Sequence, residues 1–342
     1  MSGPLDAARS VASRAYSAAI HWRNRRFDRG KGVSRVDRCV ISVGNLSMGG
    51  TGKTPMVRWL LEQLVTMGSH PAVVTRGYGA RNGQDADEVL EYRDANPDIP
   101  IFVGGDRVAV LKSELPRHPE VDCIVMDDGF QHRALHRDLD IVLISAHEPI
   151  GTDVVLPAGR LREPPASLQR ADAVIVTGSR TIDSTLAARI ESFHGQKPLA
   201  WCSHSWSSLT IIDASGYREV EIDWLHRRRV VVRLGIGSPE TVRSQLRVLG
   251  AVIANERPAR DHQPFSQAEA TFLSDVLDAD AILMTAKDWV KARDVLDLNR
   301  LKVPIVVPRL ELRFLEGEAA LGQLVHDAVA DDEDRSLQDM SS

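Results

Sequence analysis

The stretch SMGGTGKTP, Ser47 to Pro55, stands just after the apolar run CVISV, Cys39–Val43. Few sequences limit a fold so tightly. A loop that holds phosphate needs a strand to feed it, glycines that let backbone N–H groups curl around oxygens, and a helix start behind it. CVISVGN supplies the strand, and Gly49, Gly50 and Gly52 supply the free backbone. Lys53 offers a charge to the β- and γ-phosphates of a nucleotide, and Thr54 offers a hydroxyl to Mg²⁺. Ser47 takes the place where the pattern asks for glycine, at the position furthest from the phosphates. With Met48 and Thr51 it completes a candidate ATP-binding loop. Pro55 fits the first helical turn, where its missing N–H costs nothing.

The stretch VDCIVMDDGFQH, Val121 to His132, is a second element of the same kind. An apolar strand ending in carboxylates is how such an enzyme presents an acid to Mg²⁺. Asp127 and Asp128 are therefore candidate metal residues. Adjacent strand residues face opposite ways, but a turn at the strand end lets both reach the site.

Around these motifs, apolar strands are expected at 38–44, 71–76, 121–127, 139–145 and 171–177, with helices at 53–67, 105–115 and 180–194. Continuous apolar strands alternating with helices predict an α/β fold, a parallel sheet covered on both faces. A connector of short strands and turns is expected over 197–226. A second, smaller α/β domain is expected over 227–330, with strands at 229–236, 247–255, 281–287 and 304–308 and helices at 239–249, 266–278 and 316–330. The first domain then spans 31–196, preceded by an amphipathic helix within 1–30. The acidic end, 331–342, reads as a disordered tail.

The chain has 342 residues and a net charge of -5, so bulk electrostatics do not suggest a nucleic-acid partner. Cys39, Cys123 and Cys202 lie far apart, with no metal or disulfide spacing. No apolar run is long enough to span a bilayer. In the N-terminal helix Leu5, Ala8, Ala12, Ala15, Tyr16, Ala19 and Trp22 recur at helical steps, surrounded or followed by Arg14, Arg23, Arg25, Arg26, Arg29 and Lys31. That stripe suits either packing on its own domain or peripheral contact with an anionic membrane surface.

Five segments occur in order: VGNLSMGGTGKTP, TRGYG (75–79), DDGFQHRALHRD (127–138), LPAGRLREP (156–164) and TAKDWVK (285–291). Together they resemble the tetraacyldisaccharide 4′-kinase family, over about residues 4 to 310. The resemblance implies two α/β/α domains joined by a thin linker, with the active site in the cleft between them. It implies transfer of the γ-phosphate of ATP, with Mg²⁺, to the 4′-hydroxyl of an acylated glucosamine disaccharide 1-phosphate in lipid A biosynthesis. The location implied is peripheral, at the cytoplasmic face of a bacterial inner membrane.

The resemblance also implies site residues. The catalytic base falls on Asp87 in ADEV, Ala86 to Val89, where the family's flanking Gly and Pro are missing; Glu88 is its neighbour. The supporting histidine falls on His262 in RDHQPF. Gln131 and His132 would lie near the phosphates or the acceptor. Arg76, Arg107, Arg160 and Arg162 become candidates for the substrate's phosphate, since the guanidinium fork suits phosphate bidentately. Lys287 and Lys291 either face the nucleotide or cap the second domain's surface. Two alternatives stay open: a regulatory ATPase with the same loop, and a family member impaired in catalysis.

Overall fold

The computed structural model describes residues 4–77, 86–147, 150–151, 153–236, 239–260 and 263–340, with side chains described from residue 9 to 332. The chain divides into two compact units. Unit 1 is Met1–Arg76, Pro97–His204 and Leu312–Ser342; unit 2 is Gly77–Asn96 and Ser205–Glu311.

In unit 1, α1 (Pro4–Asp28) precedes β1 (Cys39–Asn45), α2 (Lys53–Thr66) and β2 (Pro71–Thr75). The chain then contributes α3 (Asp87–Ala95) to unit 2. It returns with β3 (Ile101–Val103), α4 (Arg107–Glu114), β4 (Cys123–Asp127), β5 (Leu139–Ser145), β6 (Ala173–Thr177) and α5 (Ser184–His194). It crosses into unit 2 along β7 (Ala200–Asp213). There it forms β8 (Gly216–Val220), β9 (Arg229–Leu234), α6 (Pro239–Val248), β10 (Val252–Pro258), α7 (Gln267–Ser274), β11 (Ala281–Met284) and α8 (Ala286–Ala292). It comes back along β12 (Ile305–Glu316), and α9 (Glu318–Met340) ends it.

The sheet of unit 1 runs β7-β6-β5-β1-β4-β2-β3. These pairings are all parallel, as the unbroken apolar strands predict. Every residue of β1 is buried. Val40, Val74 and Met126 pack in one cluster, and Val142, Val174 and Trp201 in another. β2, β3 and β4 lie to one side of β1 and β5, β6 and β7 to the other. The carboxyl ends of strands at such a reversal are where open α/β sheets gather ligands.

The helix α1 turns a different face to its domain from the one its alanines suggest. Ser13, Ile20 and Asn24 are buried, while Val11 and Trp22 are 66% and 74% exposed. Polar anchoring decides the face. Ser13 Oγ donates to Val155 O at 2.7 Å, Tyr16 Oη to Arg162 O at 3.2 Å, and Asn24 Nδ2 to Glu163 Oε2 at 2.9 Å. The Glu163 carboxylate, fully buried, also pairs with Arg23 and Arg170.

In unit 2 the order is β10-β9-β11-β12-β7, with β8 antiparallel to β7. Three expectations need correction. The 197–226 region holds one long strand where short ones were expected: β7 has fourteen residues and forms a hairpin with β8. The expected strand at 247–255 begins later, because α6 runs to Val248 and Gly250 turns the chain at φ 73° before β10 starts. The acidic end is helical to Met340, since Leu321 and Val325 anchor α9 and each added residue then costs little.

Candidate active site

The glycine loop in unit 1 leaves the carboxyl end of β1. Leu46 and Ser47 are buried, and the loop edge is pinned by the LPAGRLREP segment. Ser47 pairs with Leu161 in an antiparallel bridge, Met48 N donates to Arg160 O at 2.8 Å, and Arg162 N to Leu46 O at 2.7 Å. Arg160 Nη2 adds a bond to Met48 O at 2.9 Å. Serine serves at position 47 because its backbone extends along this pairing and needs no glycine conformation. On the far side of the loop, Thr177 Oγ1 donates to Thr51 O at 2.8 Å.

Gly52 caps α2 in the left-handed region, φ 81°. A Cβ there would also lie 2.3 Å from the buried His204 Nε2. Glycine has no side chain to accept from the first N–H groups of the helix, and the first turn of α2 carries no acidic residue. The N–H groups at this terminus therefore point outward with the positive end of the helix dipole, an arrangement suited to phosphate. Asn45 Nδ2 and Thr51 Oγ1 are buried beside the loop without a hydrogen-bond partner among the described residues.

Lys53 and the acidic turn meet. Lys53 Nζ lies 3.5 Å from Asp128 Oδ1 and 3.4 Å from Asn45 Oδ1. Asp127 ends β4, buried, in register with Val43 of β1. Asp128 follows at φ 50° and turns the chain. Arg162 Nη1 donates to both Asp128 oxygens, at 2.7 and 2.8 Å. Burial works to raise the Asp128 pKa, but Lys53, Arg162 and Arg107 outweigh it and hold the carboxyl below its ordinary value.

The other candidates sort by what they touch. Gln131 bridges Asn45 O at 3.0 Å and Arg162 at 3.2 Å. Arg107, buried at the start of α4, donates to the carbonyls of Asp127 and Asp128; burial lowers its pKa. Arg76 is exposed beyond β2. Thr54 is half-buried in the first turn of α2. Sequence reasoning placed Arg107, Arg160, Arg162 and Gln131 toward substrate. The structure gives each a partner within the glycine loop or the acidic turn, which the one-dimensional pattern does not reveal.

His132 is half-buried, and its pKa falls to about 4, chiefly through burial and then through Arg107. Its folded pKa lies below its unfolded value near 6.5, so its contribution to stability is complete above that pH. The contribution is lost as pH falls from about 6.5 toward 4, while the unfolded chain takes up a proton that the folded one refuses. Discounted for solvent screening, the loss is roughly 1–2 kcal/mol. Urea unfolding at pH 7 and pH 4.5 should show a smaller acid loss in His132→Asn than in the parent; equal losses would contradict this.

In unit 2, Asp87 opens α3 and pairs with Lys291 of α8 at 2.8 Å, and Glu88 follows it in the first turn. His262 lies outside the described residues.

The family model of tetraacyldisaccharide-1-P 4′-kinase matches residues 6–330. Tetraacyldisaccharide 4′-kinase of Syntrophus aciditrophicus is 33% identical over 89% of this chain and 88% of its own. That of Geobacter metallireducens is 35% identical over 84% and 88%. A crystal structure of LpxK from Aquifex aeolicus in complex with ATP matches with a TM-score of 0.72 and 26% identity, covering 95% of this chain and 99% of that one. The chain belongs to the tetraacyldisaccharide-1-P 4′-kinase family.

Proposed function

We propose that this chain transfers the γ-phosphate of ATP to the 4′-hydroxyl of a tetraacylated glucosamine disaccharide 1-phosphate. The observation that carries the reading is Lys53 at the open N-terminus of α2, 3.5 Å from the ionised Asp128, in a chain matched by the kinase family from residue 6 to 330.

Ser47 to Thr54 hold the nucleotide's phosphates, with backbone N–H groups and Lys53 as donors. Thr54 and Asp127 would hold Mg²⁺, with Asp128 in its shell. The donor set fits: a hydroxyl and a strand-end carboxylate are the oxygens this ion accepts beside nucleotide phosphates. When bound, the ion neutralises charge developing on the phosphate oxygens. Arg107, Arg162 and Gln131 keep the acidic turn and the glycine loop in register, so the site needs little rearrangement as charge develops. Asp87 accepts the hydroxyl proton of the acceptor, assisted by His262, with Glu88 beside it. Arg76 and Arg160 are the exposed cations for the substrate's phosphate.

The exposed face of α1 supports a peripheral membrane position. Val11, Ala15, Ala18 and Trp22 lie there with Arg14 and Arg25. Among the described residues no helix is long and apolar enough to cross a membrane. Replacing Val11 and Trp22 with serine should cut pelleting with anionic vesicles by about tenfold and leave ATP affinity unchanged; unchanged pelleting would contradict the placement.

The activity is tested by mass spectrometry of the product after incubation with Mg-ATP and tetraacyldisaccharide 1-phosphate. A mass increase of one phosphate on the distal sugar is expected. ATP turnover that ignores the acceptor, with no phosphorylated lipid, would overturn the proposal.

A further inference from the structure

Asn45 Nδ2, Thr51 Oγ1 and His204 Nε2 are buried beside the glycine loop without a hydrogen-bond partner among the described residues. The first two belong to the segment that forms the loop. His204 comes from β7, far along the chain, yet within unit 1. A buried polar atom left unpaired costs free energy, so each one calls for a role.

The strand fixes where His204 stands. β7 pairs with β6 through Ile175–Ala200 and Val176–Trp201, and Ser179 N donates to Cys202 O at 3.2 Å. Trp201 is buried in the core of unit 1. Residues two apart on a strand share a face, so His204 lies on the side of Cys202. That side is apolar. Burial pushes the Cys202 thiol up to about 12, and burial holds the His204 imidazole below its ordinary pKa. The ring is therefore neutral at pH 7, with one nitrogen carrying a proton. Its tip meets the loop: Nε2 and Cε1 are the ring atoms that a Cβ on Gly52 would strike. Position 52 thus requires glycine twice, for its left-handed φ of 81° and for this approach. Thr177, at the end of β6, holds the neighbouring Thr51 carbonyl at 2.8 Å. The ends of β6 and β7 together brace the last loop residues before Lys53.

We infer that His204 is a further nucleotide-binding residue, its Nε2–H donating to an oxygen of the α- or β-phosphate beside Gly52. This rests on the glycine loop holding ATP. In such loops backbone N–H groups cradle the α- and β-phosphates, while the lysine reaches the β- and γ-phosphates. Gly52 stands one residue before Lys53, so a donor at its side serves the part of the nucleotide that ATP and ADP share. A phosphate oxygen only accepts, which selects the tautomer with the proton on Nε2. A neutral donor there strengthens binding without adding to the charge that Lys53 brings to the transferred group. His204 governs affinity and not the chemical step.

Calorimetric titration of the full chain with Mg-ADP and with inorganic tripolyphosphate tests this. His204→Leu should bind both about 10- to 100-fold more weakly, the range of a hydrogen bond to a charged acceptor. Its kcat at saturating ATP should stay within about threefold. His204→Gln, which brings an amide N–H near the position of Nε2, should recover most of the affinity. Without ligand, His204→Leu should unfold at the parent's temperature or higher, because an apolar group replaces an unpaired polar atom. A histidine kept for packing alone would show the reverse. ADP affinity in His204→Leu within about twofold of the parent would overturn the inference. Equal losses in the Leu and Gln variants would refute it too, leaving His204 as a spacer against Gly52. Lost ADP affinity with tripolyphosphate binding intact would move the contact to the nucleoside and refute the phosphate contact. Should His204→Leu fail to fold, the imidazole NMR signal of His204 in the parent decides. It should shift on adding tripolyphosphate, and an unmoved signal overturns the contact. A parent chain that binds neither ligand overturns the reading of the glycine loop together with this inference. A parent that binds both, beside an unaffected His204→Leu, overturns this inference alone.

Discussion

Lys53→Ala is expected to lose phosphoryl transfer by about 10³-fold, the scale of removing a charge that meets the developing oxyanion directly. The protein should remain folded. The apolar face of α2 is buried through Val57, Leu60, Leu61 and Leu64, none of which depends on Lys53. Asp128 keeps both bonds to Arg162, so its charge stays compensated. Single-turnover transfer and thermal unfolding, measured together, separate the two effects. A rate within tenfold of the parent would remove Lys53 from the site.

Asp87→Asn is the second large effect expected. The amide keeps the shape of the carboxylate but cannot take the proton, so kcat should fall by 10²–10⁴, that is about the full contribution of a general base. ATP affinity should be unchanged, because the proposed phosphate loop lies in unit 1 and Asp87 belongs to unit 2. A fall in affinity with kcat preserved would point to nucleotide binding as the role of Asp87, in place of proton transfer.

The glycine loop and the helix behind it were legible because their signals are local. Strand, glycines, lysine and helix start are contiguous, and the left-handed Gly52 and uncapped α2 follow from them. The parallel sheet was legible from unbroken apolar strands. The support of the site was not, because it is assembled across long separations. Arg162 reaches back to Asp128, Glu163 to Asn24, and Lys291 to Asp87. No local periodicity encodes such pairings. The length of β7 was missed because its burial is irregular along the strand, so neither the alternating nor the continuous apolar pattern runs through it. α1 was legible as a helix but not in its facing, since serine, tyrosine and asparagine seat it by hydrogen bonds while its tryptophan stays outside.

The division of unit 1 into three segments bears on how the chain is made. Its last segment, Leu312–Ser342, includes α9, whose Ala328 carbonyl meets the Cys39 thiol of β1 and whose Glu318 accepts from Trp59 of α2. On a ribosome unit 1 therefore waits, one flank bare, until the Leu312–Ser342 segment has been made. A transcript broken before that segment would release a chain with intact motifs and an uncovered core, a substrate for proteases before it could serve as an enzyme.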